Sequence, residues 1–252
     1  STMKKLSILL LCWTTVQQVL GQVASPPALI RHPLLFGVTT VIDQTLVGNA
    51  VCATSFVVNN LGDAGDATPG DGVCATSGGV CTLRAAIQEA NALSSCDNIT
   101  ISFSTNGTIT LGNELPSGTT GSRTINGNGT SNTIIQANAN ENTANYSIFR
   151  VTGSTANWTL NNLTIRNGGV DGTAVDGGGL AVSSSGTLTV SNCIVEKCRG
   201  DVGGGIFALS ATLNVSNTTI RNNRTFRNGG GIYSQSSQFT LTNSIITNNQ
   251  NN

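Results

Sequence analysis

The stretches GGGLAV (Gly177–Val182), GGGIFA (Gly203–Ala208) and GGGIYS (Gly229–Ser234) decide the fold, because successive glycine triplets stand 26 residues apart. A fixed period of that length marks a solenoid, in which one supersecondary unit is repeated and stacked. Working outward, WTLNN (Trp158–Asn162), LTVSN (Leu188–Asn192), LNVSN (Leu213–Asn217) and FTLTN (Phe239–Asn243) superimpose without gaps. Ile165, Val195, Ile220 and Ile246 each follow three residues on. Alternation of period two turns Trp158/Leu160, Leu188/Val190, Leu213/Val215 and Phe239/Leu241 to one inner face, with Thr159, Thr189, Asn214 and Thr240 outward. The closing asparagines differ by 30, 25 and 26, so the extra residues of the first unit are expected to bulge outward between Gly168 and Asp176. One coil reads as about three short strands and three turns.

Stacking such coils lays each strand on its sequence equivalent, in parallel and about 4.8 Å away. Asn162, Asn192, Asn217 and Asn243 are then expected to form an amide ladder, with Asn192 and Asn217 buried at a turn. The glycine triplets read as tight corners, where φ > 0 or close backbone approach is needed, rather than as phosphate loops. Four residues past each ladder asparagine stand Arg166, Glu196, Arg221 and Thr247. An Arg–Glu–Arg surface stack of this kind contributes about 0.2–1 kcal/mol per pair. The same three charged residues are the catalytic candidates of the outward ladder, and a single carboxylate, already paired, is a poor acid/base set. Asp176 and Asp201 approach one corner, but the register sets Val202 opposite Asp176. Phe207 and Tyr233 stack in register after the glycine triplets and are the candidate platform for a sugar ring.

Composition narrows the function further. The chain has 252 residues, of which 10% are charged, with a formal net charge of zero, so it carries no electrostatic footprint for nucleic acid. Lys4 and Lys5 precede the apolar run LSILLLCW and a small residue at Gly21, the pattern of an export signal over residues 1–21, with cleavage after Ala53 as the alternative. Residues 22–55 carry no assignment, and residues 56–252 are uniform in character. No later segment reaches the roughly 20 apolar residues of a spanning helix. Export makes disulfides expected, Cys74 with Cys81 first and Cys52 with Cys96 second, while Cys193 and Cys198 lie too far apart along one coil. His32 is the only histidine and no paired CxxC exists, which argues against zinc. Asp63, Asp66 and Asp71 could gather oxygen ligands for Ca²⁺, and no other cofactor is implied. The chain closes NNQNN directly after a coil, as a fragment of a longer product would.

Ahead of the coils, Leu83, Ala86, Ile87 and Ala90 follow helical spacing over Thr82–Leu93, with Thr82 as N-cap. A solenoid end exposes apolar surface and strand edges, so this helix is expected to cover it. The stretch from Phe56 to Ala92, with CTLRAA at Cys81–Ala86, resembles the CSLREA-type domain of secreted and surface bacterial β-helix proteins. Cys81, Leu83, Arg84 and Ala86 match its motif, whereas Ala85 replaces the acidic residue and removes any charge pair made there. The resemblance runs from Phe56 to Asn252 and implies an all-β, right-handed, single-stranded parallel β-helix of the pectate-lyase-like kind, secreted or at a bacterial cell surface. The resulting expectation is a non-enzymatic structural or adhesive module that contacts extracellular glycans or other cell-surface ligands. A polysaccharide lyase or glycoside hydrolase is the alternative, and an ice-binding solenoid, suggested by the outward threonines, the third.

Overall fold

The computed structural model describes residues 52, 54–170 and 177–251. The export signal, both cleavage points and Asp176 lie outside the described residues, as does most of the expected bulge. The described chain opens with β1 (Ser55–Val58) and helix α1 (Leu83–Ala92), followed by a first coil of β2 (Ile99–Phe103) and β3 (Gly107–Thr110). The second coil holds β4 (Ser122–Asn126), β5 (Thr133–Gln136) and β6 (Phe149–Thr152); the third holds β7 (Asn157–Asn161), β8 (Thr164–Arg166) and β9 (Leu180–Ser183). The fourth comprises β10 (Thr187–Ser191), β11 (Ile194–Glu196), β12 (Arg199–Val202) and β13 (Ile206–Leu209). The fifth comprises β14 (Thr212–Ser216), β15 (Thr219–Arg221), β16 (Arg224–Asn228) and β17 (Ile232–Gln235). The last adds β18 (Gln238–Thr242), β19 (Ile245–Thr247) and β20 (Gln250–Asn251).

Every strand pairs in parallel with its counterpart one coil away, giving a seven-stranded sheet β1-β2-β4-β7-β10-β14-β18 and a six-stranded sheet β3-β5-β8-β11-β15-β19. Two smaller sheets, β6-β9-β13-β17 and β12-β16-β20, close the tube. The expected register holds residue for residue, as in Leu188 opposite Trp158 and Leu213, and Val190 opposite Leu160 and Val215. The sheet β12-β16-β20 is a fourth side that the reading of three strands per coil lacked. Its segments carry Arg, Gly, Asp and Asn without apolar alternation, so only backbone register with the neighbouring coil identifies them as strands.

The asparagine ladder differs from expectation. Asn162, Asn192, Asn217 and Asn243 all take left-handed φ, between 46° and 56°. Asn192 and Asn217 are exposed, not buried. A left-handed corner residue breaks the inward/outward alternation, so the following residue, Leu163, Cys193 or Thr218, turns inward instead. Asn tolerates this conformation through its short polar side chain. The amides reach diagonally rather than along the column: Asn192 Nδ2 donates to Asn161 Oδ1 at 2.9 Å, and Asn162 Nδ2 to Asn126 Oδ1 at 3.3 Å. The inward amide ladder lies one corner on, at Asn223 and Asn249. There Asn223 Oδ1 accepts from Cys198 N (3.0 Å), while its Nδ2 donates to Val195 O (3.0 Å) and Asn249 Oδ1 (2.9 Å).

The glycine corners are built as expected. Gly203 and Gly229 have φ of +73° and +71°, and a Cβ on Gly204 would collide with the carbonyl oxygens of Arg224 and Gly230.

Helix α1 caps the first coil. Leu83, Ala86, Ile87 and Ala90 belong to one core cluster with Ile99, Ile101 and Ile125. Thr82 Oγ1 accepts from Ala85 N at 3.1 Å, closing the helix N-terminus. Arg123, 1% exposed, occupies an inward position of β4 and reaches the other end of the helix. Its Nε donates to Ala90 O (3.1 Å) and Nη2 to Leu93 O (3.0 Å). These are last-turn carbonyls, where the helix dipole also favours a cation. Arg84 holds Asp63 through two bonds, Nε to Oδ1 (3.0 Å) and Nη2 to Oδ2 (2.8 Å), so the motif arginine has a carboxylate partner although Ala85 supplies none. Both expected disulfides form, Cys52–Cys96 and Cys74–Cys81, with Cα atoms 5.4 and 5.2 Å apart.

Candidate functional site

The largest regular surface is the outer face of the seven-stranded sheet. From β2 to β18 every outward position is Thr, Ser, Asn or Gln, and none is ionisable. Its central column runs Thr100, Thr124, Thr159, Thr189, Asn214, Thr240 in unbroken register. Rungs about 4.8 Å apart and same-face neighbours about 6.7 Å apart along each strand make this a flat lattice of hydroxyls and amides. One flanking column is bonded within itself, Asn161 Nδ2 to Asn126 Oδ1 at 2.9 Å and Ser216 Oγ to Ser191 Oγ at 3.1 Å. The central column makes no side-chain hydrogen bond among the described residues, so its groups are available to an outside partner. A shallow hollow of about 240 Å³ opens here beside Thr100, Thr124, Asn157 and Thr159.

The adjoining six-stranded face carries the charged column. Thr110, Gln136, Arg166, Glu196, Arg221 and Thr247 are in register. The continuous Arg–Glu–Arg stack does not form. Arg166 Nε donates to Gln136 Oε1 (2.8 Å), whose Nε2 donates to Thr110 Oγ1 (2.9 Å). Glu196 pairs with Arg221, through Nε and Nη2 at 2.8 Å each. A neutral acceptor one coil back takes Arg166, leaving Glu196 to its other neighbour.

The remaining candidates separate. Phe207 and Tyr233 stack with centroids 5.9 Å apart and planes 4° from parallel, but Phe207 is 3% exposed, packed with Ala181 and Val202. Only Tyr233 keeps an open part, and its hydroxyl bonds Gln235 Oε1. A two-ring sugar platform is therefore not presented to solvent. Asp63, Asp66 and Asp71 point to different partners. Asp63 holds Arg84 and Gly112 N, Asp66 accepts from Thr68 N and Ala75 N, and Asp71 accepts from Val73 N. Among the described residues no three His, Cys, Asp or Glu side chains come together as a metal-binding group.

Carboxylates elsewhere are committed as well. Buried Glu89 accepts from Gly70 N and Gly72 N, Asp97 from Ser122 N, and Glu114 pairs with Arg150. Asp201 is 1% exposed, with Arg227 Nε 3.0 Å from its Oδ1 but out of hydrogen-bond alignment. Two thiols, Cys193 and Cys198, are free and buried, and burial pushes each up to about 12. A thiol held protonated in this way is not a nucleophile near neutral pH.

Stacked strands in register, an apolar lumen, polar outer columns and a helical lid together define a parallel β-solenoid. The chain belongs to the right-handed β-helix family, whose region matches residues 121–252. No curated protein and no solved structure matches the chain.

Proposed function

We propose that the protein is an exported, non-enzymatic β-helix that serves as a surface or extracellular structural and adhesive module, contacting glycans or other cell-surface matter. The observation that carries this reading is the uncharged outer face of the seven-stranded sheet, whose central column of hydroxyls is left without internal partners. An acid/base pair requires two titratable groups converging on a bound substrate. Here every described carboxylate except Glu141 already faces a cation or a backbone amide. Two disulfides and the resemblance of Phe56–Ala92 to the CSLREA-type domain support export to a bacterial surface.

The test is a panel of immobilised pectin, alginate and neutral glycans, read for both retention and soluble product. Retention without product is expected. Depolymerisation of a uronate polymer that is abolished by Arg221→Ala would replace the adhesive reading with the lyase one. The threonine column reaches Thr100 and Thr124, which favours ice as a second ligand of the same face. Ice-crystal shaping that is lost in Thr159→Lys would establish that ligand.

A further inference from the structure

Nine cationic side chains fall within the described residues, and six are committed: Arg84, Arg150, Arg221 and Arg227 to carboxylates, Arg123 to carbonyls and Arg166 to Gln136. Lys197, Arg199 and Arg224 have no carboxylate within ion-pair distance among the described residues, and they lie together. Arg199 and Arg224 are in register on adjacent strands, so their backbones lie about 4.8 Å apart and two cations share one column. Lys197 and Arg224 line a groove of about 300 Å³ along the corner before β12 and β16, whose walls also include the amides Asn222, Asn248 and Gln250. Glu141 is the one acid among the described lining residues, against the two cations Lys197 and Arg224. Arg199 Nε is buried with no hydrogen-bond acceptor, and its guanidinium lies over the Phe226 ring, 5.3 Å from the centroid. Stacking of that kind holds the Arg199 guanidinium on the ring, outside the groove lining, and leaves the groove to Lys197 and Arg224.

We infer that this groove binds a tetrahedral oxyanion carried on a polysaccharide, a sulfate or phosphate ester, held between Arg224 and Lys197 with the amides of Asn222, Asn248 and Gln250 beside them. Two cations, one from a rung and one from a corner, together with side-chain amides can meet three separate oxygens of a tetrahedral group, whereas a planar carboxylate offers two. The site lies on a different side of the tube from the uncharged sheet face. The inference rests on the adhesive reading only for the nature of the carrier chain.

The full chain should bind fluorescein-labelled dextran sulfate in anisotropy titrations, with affinity falling as salt rises. Arg224→Gln and Lys197→Gln should each weaken binding about tenfold, the scale of one lost charge-assisted bond. Both residues are exposed, and Gln already occupies the Arg224 column at Gln250, so these variants keep the fold. Arg150→Gln, which removes one positive charge elsewhere, should leave binding unchanged. Adding inorganic sulfate or inorganic phosphate should compete. Equal loss in Arg150→Gln, equal binding of polygalacturonate, or no binding of dextran sulfate would each overturn the inference. Retention on neutral glycans is measured on the same variants and should be untouched by Arg224→Gln, so the groove and the adhesive reading can fail separately.

Discussion

Replacing Asn223 by Ala is expected to be among the most damaging single changes in the C-terminal coils. The Asn223 side chain is fully buried and bridges three coils, accepting from Cys198 N and donating to Val195 O and Asn249 Oδ1. Alanine leaves the Cys198 amide without a partner inside a buried corner and removes the side-chain bonds to Val195 O and Asn249 Oδ1. The stranded amide costs about 1–3 kcal/mol and the two lost Nδ2 bonds about 0.5–1.5 kcal/mol each, about 2–6 kcal/mol together. Asn217→Ala makes the contrast. Asn217 is exposed, and its contribution is tolerance of left-handed φ, so about 1–2 kcal/mol is expected. Solenoids open locally, which makes hydrogen exchange the suitable assay, with urea unfolding for the total. The Cys198 amide should lose protection in Asn223→Ala and keep it in Asn217→Ala. Equal protection of that amide in the wild type and Asn223→Ala would refute the ladder.

Four further outcomes are expected. Arg123→Met should release the last turn of α1, seen as faster exchange at Ala92 and Leu93, because two buried carbonyls lose a charged donor. Ile87→Asp should expose the first coil and drive end-to-end aggregation, detected by light scattering. Cys193 and Cys198 should resist alkylation in the native protein at pH 8 and react on unfolding. Their thiols titrate from 9.0 to about 12 on burial, so the folded state holds protons that the unfolded chain releases. The contribution is therefore fully present below about pH 9 and is lost as pH rises towards about 12, measurable as a falling urea midpoint in that window.

The C-terminal coils were legible because Trp158–Asn162 and its three counterparts keep one alternation, and because in-register stacking repeats like on like. The helix, its N-cap and both cysteine pairs were also legible, since spacing and local chemistry determine them. The first two coils were harder to read. An arginine stands at the inward position 123, where later coils have Trp158 and Leu188, and this breaks the apolar pattern although Thr124 and Ile125 continue it. The exposure of Asn217 is not legible in the alternation, because its left-handed φ resets the inward and outward phase. Asn223, directly after Asn222, gives no sign in the sequence of which asparagine turns inward. The register gives the answer, by aligning it with Cys198. For the groove, the sequence does show a cluster of cations from Lys197 to Arg227. Which of them are neutralised depends on pairings across coils, such as Arg221 with Glu196, that only the stack defines.

The same stacking separates stability from recognition. Inward positions satisfy one another through the lumen, so a change at Leu188 or Asn223 disturbs its own coil and the coils stacked on it. An outward column has only its own neighbours to bond, and each column here is either satisfied by them or is not. The Asn126–Asn161–Asn192 diagonal and the Glu196–Arg221 pair are satisfied, and the chain derives local order from them. The central threonine column and Arg224 are not, and the Arg224 column continues at Gln250, where the side chain is uncharged. Substitutions confined to these columns should therefore change what the protein binds while leaving its unfolding unaltered, which is the behaviour expected of a scaffold that presents separate faces to separate partners.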